Sequence, residues 1–286
     1  MVVGASAAYG VRSMTAPLRR VLVGSPAQGG DFPAAGWRPP ELELLQRQHE
    51  ALVELLASLG VEVVVLPATD GLVDGCFVYD PVFVTGAGQI VLQMCKPARV
   101  DEPERLATAL EDAGVPVAGR LDGGAYADGG DMFWLDGRTL AVGRGYRTNA
   151  EAHRQLAELL GREGVELARF DLPHHHGAGE VLHLLSVISP VADDLAAVFE
   201  PLAPVPLLEE LDKRGIRRVQ VDAAELETQG GNLLAVRPGV VVMADGNPRT
   251  RRALEAVGVE VHVYAASELN KGDGGPTCLT RPILRS

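Results

Sequence analysis

The feature that most constrains this chain is a structural pattern that recurs five times with little repetition of letters. In each unit one or two short β-rich runs precede an amphipathic helix, and a further strand follows, often announced by Gly-Val. The first unit opens with RRVLVGSP at 19–26, continues with a helix over 41–60 and ends in VEVVVLP. Pro39-Pro40 suits the helix entrance, Leu45, Leu52, Leu55, Leu56 and Leu59 recur at helical spacing, and Gly60 sits where a C-cap belongs. The second unit pairs CFVYDPVFVT with QIVLQM across Gly-Ala-Gly, then predicts a helix over 103–113 and the strand VPVAG. The third joins DMFWLDG to RTLAVG through Asp136-Gly137, a hairpin signal, ahead of a helix over 149–162 and VELARF. The fourth starts at VLHLLSVIS, carries a helix over 206–214 and ends RRVQVD. The fifth runs NLLAVRPGVVVMA, a helix over 248–257 and VEVHVY, and SELNKGDGGPTCLTRPILRS closes the chain as a short tail. Two separate α/β domains could be built from such units. Five similar units instead point to radial repetition about an axis, each unit burying a face against its neighbours.

Charge and cysteine usage exclude partners. A formal net charge of −12 repels nucleic-acid phosphates and anionic membranes. No apolar run reaches the ~18 residues that span a bilayer, and the N-terminus lacks a charged region followed by an apolar one. Cys76, Cys95 and Cys278 are an odd number without paired spacing, so free thiols in a reducing, cytoplasmic compartment are expected. Cys76 and Cys95 sit within apolar strand patterns and read as buried structural thiols.

Cys278 is different. It follows Gly274-Gly275-Pro276 in KGDGGPTCLTRP, a constrained backbone suited to close approach, and reads either as a nucleophile or as a small gap-filler. His183 interrupts the apolar run VLHLLSVIS and reads either as a packed histidine or as the acid/base partner of that thiol. His174-His175-His176 reads as a solvated loop rather than a metal site, because no ligand follows at suitable spacing. Asp80 in FVYDP and Asp128 in YADGGD stand at strand–turn junctions, as turn formers or as site carboxylates. A carboxylate matches the planar N–H fork of a guanidinium. Arg99 and Arg147 are either surface arginines or carboxylate binders.

Taken in order, FVYDP, ADGGD, RTNAE at 147–151, LHL around His183, GNPRTR and GGPTC resemble the dimethylarginine dimethylaminohydrolase branch of the guanidino-modifying enzymes, from about residue 17 to the C-terminus. Arginine deiminases and amidinotransferases are relatives. The resemblance implies a five-bladed α/β propeller, the pentein fold, built from ββαβ-type units about a pseudo-fivefold axis. It implies that Cys278 attacks the guanidinium carbon to leave a covalent thiouronium adduct. His183 would protonate the leaving amine and then activate water, and Asp128 would orient His183. Asp80 would grip the guanidinium, Asp74 in LVDGCF would add a polar substrate contact, and Arg99 and Arg147 would bind the substrate α-carboxylate. Tyr79 stands at the substrate-binding position where characterised members carry Glu, and Leu185 stands where deiminases and amidinotransferases carry a second guanidinium-binding Asp.

The expectation is therefore a hydrolase of linear amidine C–N bonds that needs no cofactor and no metal. Its substrate would be an Nω-substituted arginine such as dimethylarginine, or an analogue, giving citrulline or a ureido product plus an amine. Residues 1–16 read as a loose tail and 17–286 as one catalytic domain; a homo-oligomer is compatible with the sequence. An amidinotransferase or arginine deiminase activity is the nearest alternative, and a non-catalytic pentein-fold binding protein is the alternative of another class.

Overall fold

A computed structural model describes residues 8–179 and 182–286. Each unit of the pattern folds as one blade: a three-stranded sheet with a helix packed on it. Blade 1 contains β1 (Leu18–Gly24), α1 (Leu42–Ser58) and β2 (Glu62–Leu66). Blade 2 contains β3 (Val82–Val84), β4 (Gln89–Val91), α2 (Glu102–Asp112) and β5 (Val117–Arg120). Blade 3 contains β6 (Met132–Asp136), β7 (Thr139–Arg144), α3 (Ala150–Gly161) and β8 (Glu166–Asp171). Blade 4 contains β9 (Ile188–Ala192), β10 (Leu195–Val198), α4 (Val205–Lys213) and β11 (Arg217–Gln220). Blade 5 contains β12 (Leu233–Arg237), β13 (Val240–Ala244), α5 (Pro248–Ala256) and β14 (Glu260–Tyr264). In blades 2 to 5 the first two strands form an antiparallel hairpin, and the helix carries the chain to a third strand parallel to the second.

Blade 1 obtains its first strand from the other end of the chain. β15 (Thr280–Arg285) pairs antiparallel with β1, with Val23 opposite Thr280 and Leu18 opposite Arg285. The closing segment, read from sequence as a tail, is thus the inner strand of the first blade. Its alternation was masked by Arg281 and Arg285, whose side chains are buried here. The segment before β1 is not loose either. Gly10 N donates to the Ile283 carbonyl at 2.8 Å, Thr15 Oγ1 to Asp193 at 2.7 Å, and Arg12 pairs with Glu163 at 2.9 Å. The remainder of the expected tail, residues 1–7, lies outside the described residues.

The core is divided among the seams between blades. One apolar cluster joins blades 1, 2 and 3, another blades 1 and 5, a third blades 3 and 4, and a fourth blades 4 and 5. α1 shows how the sequence arranges this: Glu41 caps it by accepting from the Glu43 and Leu44 amides, and Leu45, Leu52 and Leu56 bury one face completely. Each such leucine contributes about 1.5–3 kcal/mol. Cutting Leu52 to Ala would cost about 2–5 kcal/mol, the cavity included. Among the described residues no helix is long and apolar enough to cross a membrane.

Candidate active site

The residues singled out from sequence fall at equivalent places. Asp80 lies two residues before β3, Asp128 four before β6, His183 five before β9, and Cys278 two before β15. These first strands line the axis, so the segments entering them converge at one end of the propeller. His183 is not within a strand, as the apolar run suggested; it is extended and precedes a short turn at Leu184–Ser186, with its N–H donating to Ser186 Oγ at 3.0 Å.

His183 Nε2 is 3.0 Å from Asp128 Oδ2, and both side chains are buried. The ring Nδ1 packs against Gly130, where an added Cβ would lie only 2.4 Å from it. Only glycine permits that approach. Burial pulls the imidazole pKa down, but Asp80, the bond to Asp128 and Asp131 outweigh it and raise it to about 9. Asp131 supports the same histidine from behind: it accepts from the Leu184 amide at 2.9 Å and from Thr148 Oγ1 at 2.6 Å. Its own pKa is raised to about 6, chiefly by burial.

Cys278 is partly exposed, and its carbonyl accepts from the Tyr79 amide at 3.1 Å, which ties the cysteine backbone to the segment carrying Asp80. Burial first, then the charge of Asp80, raises the thiol pKa to about 11. Asn232 Nδ2 lies 3.1 Å from Sγ and works the other way. Asn232 also accepts from the Thr277 amide at 3.0 Å, and Gly275 leaves room for it, since a Cβ there would meet its side chain at 2.6 Å. Thiol and imidazole come from blades 1 and 4, and both lie in the field of Asp80 from blade 2.

Asn232 was not expected from sequence. An isolated Asn at the head of an apolar run carries no signal of its own. Its place, one residue before β12, completes the set: each blade supplies one polar group from the segment entering its first strand.

Other expected contacts are differently engaged. Asp80 Oδ2 pairs with Arg99 Nη1 at 2.8 Å, and Oδ1 accepts from the Gly130 amide at 3.0 Å. Burial opposes ionisation of Asp80, but Arg99 and His183 hold its pKa below the ordinary value. Arg99 is buried, bonds Glu102 at 2.8 Å and the Phe77 carbonyl at 3.0 Å, and so is not a free carboxylate binder. Asp74 accepts from Trp37 Nε1 at 2.8 Å and Lys96 Nζ at 2.5 Å, which occupies both oxygens. Arg147 reaches the site, with Nη1 3.9 Å from Asp128 Oδ2. Tyr79 does not present its ring to this cluster. The ring lies under the Arg281 guanidinium, 3.8 Å from its centroid, and its hydroxyl donates to the Met132 carbonyl at 3.4 Å. Tyr79 and Asp80 are adjacent in a turn closed by the Asp80 amide on the Phe77 carbonyl at 3.5 Å, and their side chains diverge: Asp80 takes the site and Tyr79 the interior. Cys76 is buried as expected, but in a turn at Val73–Cys76; Cys95 lies in a loop and is partly exposed. His174, His175 and His176 are exposed, and His174 Nδ1 is 2.5 Å from the Tyr146 hydroxyl.

Five blades with one polar group per blade converging on the axis, a thiol and a carboxylate-bound histidine among them, define a chain of the pentein fold. Comparison with known proteins bears out that resemblance. The family model described as arginine deiminase matches residues 207–285. The chain is 29% identical over 238 residues to the uncharacterized protein YkgA of Bacillus subtilis, covering 83% of this chain and 79% of that one. It is 27% identical over 249 residues to the arginine deiminase of Listeria welshimeri, covering 73% of this chain but only 61% of the deiminase's length. Among solved structures, a dimethylarginine dimethylaminohydrolase from Pseudomonas aeruginosa, a cysteine-to-serine mutant complexed with citrulline, superposes with a TM-score of 0.77 at 22% identity. That match covers 94% of this chain and all of the other. The N-terminal domain of ArgZ, a cyanobacterial arginine dihydrolase, gives 0.79 at 18% identity over 93% and 97% of the two chains.

Proposed function

We propose that this protein is a cysteine-dependent hydrolase of a guanidino compound, with an Nω-substituted arginine or an analogue as substrate. The observation that carries the reading is geometric: a partly exposed thiol is tied by its backbone to the segment of Asp80, and Asp80 and a histidine bonded to Asp128 pack around Gly130. Cys278 Sγ attacks the guanidinium carbon, and the adduct expels an amine as His183 delivers a proton to the departing nitrogen. With Nε2 tied to Asp128, Nδ1 is the ring nitrogen left to carry that proton. The resulting S-linked thiouronium then takes up water, whose proton returns to His183, and collapse releases the ureido product and regenerates the thiol. Asp80 retains acceptor capacity beside its bonds to Arg99 and Gly130, and Asp128 Oδ1 is buried without a partner, so both can receive guanidinium N–H groups. Arg147 is the better placed arginine for the substrate carboxylate, because Arg99 is already saturated.

A thiol with a pKa of about 11 is protonated at neutral pH, and the histidine is charged. A guanidinium bound at Asp80 offsets the negative charge that helps raise the thiol, so substrate binding itself promotes the thiolate. No external cofactor is required by this route, and the free thiols suit a cytoplasmic location.

Arginine deiminase activity is the second reading, favoured by the family model and the Listeria relatives. Leu185 speaks for the substituted substrate, since it is buried in the apolar cluster with Phe133 and Leu184 and offers no carboxylate. Incubation with arginine and with dimethylarginine, scored by ammonia, alkylamine and ureido product, separates the two. Cys278→Ser and His183→Ala are each expected to lower turnover by at least about a thousandfold. Near-normal turnover by Cys278→Ser would overturn the mechanism.

A further inference from the structure

β15 carries two arginines, Arg281 and Arg285, and both are buried. Together with Tyr79 and Thr277 they line a small cavity of about 20 Å³ near the axis. Their partners do not balance their charge. Arg285 donates to two backbone carbonyls, Ala16 at 2.7 Å and Ala235 at 2.8 Å. The Arg281 guanidinium lies over Tyr79 at 3.8 Å and Phe83 at 5.6 Å, and its Nε and Nη2 have no hydrogen-bond partner. Neither arginine forms an ion pair with a carboxylate among the described residues. Asp80, whose charge Arg281 feels, bonds Arg99 and the Gly130 amide and neither of these two arginines. Buried charges are ordinarily paired, and stacking on two aromatic faces offsets only part of the desolvation of one cation.

We propose that this axial cavity is an anion site, in which one chloride-sized monovalent anion sits between Arg281 and Arg285. The charge and lining of the cavity set the class of ligand. A cavity needs about 10–15 Å³ to hold one water, so this one has room for a halide. Met14, Phe83 and Trp134 in the lining disfavour a strongly hydrated dianion. An anion here neutralises the positive charge carried by β15, the strand that follows Cys278, three residues before Arg281.

The test compares thermal unfolding of the full chain in sodium chloride and in sodium gluconate at equal ionic strength, for the wild type and Arg281→Met. Gluconate is too large to enter. At a tenfold excess over its Kd an anion raises the folding constant about elevenfold, and the midpoint should rise by about 3 °C in chloride only. The rise should saturate and vanish in Arg281→Met. Crystals grown in bromide should show one anomalous peak between the two guanidinium groups. Identical melting in the two salts, or a chloride shift retained by Arg281→Met, overturns the proposal. If Arg281→Met fails to fold, the bromide map of the wild type decides, and water alone in the cavity overturns it.

Discussion

Two guanidinium groups are buried in this propeller in opposite company. Arg99 has Asp80 and Glu102 at 2.8 Å each and a carbonyl besides, whereas Arg281 has aromatic faces and two nitrogens without partners. Burial lowers the pKa of both, but in Arg99 the two carboxylates outweigh it and hold the group well above the ordinary value. Arg281 ends below it. The difference shows how adjacent residues of one segment divide the molecule: Asp80 joins a charged, hydrogen-bonded end where chemistry can occur, and Tyr79 turns to a cation-rich interior.

Removing Arg99 should break this contrast most severely. Arg99→Met leaves Asp80 and Glu102 buried without their cation, and urea unfolding should show a loss of about 3–5 kcal/mol. A loss below about 1 kcal/mol would mean that the pair is not the anchor described. The next largest effect is pH dependence. His183 titrates at about 9 when folded and near 6.5 when unfolded, so its contribution is fully present below about pH 6.5. It is lost as pH rises through 9, because the folded state then binds the extra proton the unfolded state lacks. Stability should fall by about 3 kcal/mol across that window, and His183→Gln should flatten the curve. Smaller again is Asn232→Ala, which removes the donor that favours the thiolate. Its kcat/KM at neutral pH should fall about tenfold, with the alkaline limb of the pH profile displaced upward. Least of all, Arg281→Met measured in gluconate should change stability by under about 1 kcal/mol, since it removes a charge with no carboxylate partner. Equal losses for Arg99→Met and Arg281→Met would erase the comparison.

Much of this arrangement was legible in the sequence, for stated reasons. Five repeats of hydrophobic period fixed the number of blades, and turn residues beside Asp80, Asp128 and Cys278 marked the segments that converge. Pairings across long sequence separations were not legible. Nothing in KPARVDE indicates that Arg99 folds back onto Asp80, and nothing in TRPILR indicates that two arginines face inward. Asn232 was missed because its neighbourhood was read by composition; its position relative to the fifth unit's first strand carried the information. The run around His183 was misread as strand because its leucines bury themselves in a short turn.

The pairing of β15 with β1 has one more implication. The strand that closes the ring also delivers the sulfur, while the other four polar groups ride on the four remaining blades. Unzipping this single seam would remove the sulfur from the centre while the other four groups stayed on their own blades. Amide exchange along Thr280–Arg285 therefore gauges the fraction of molecules competent to react.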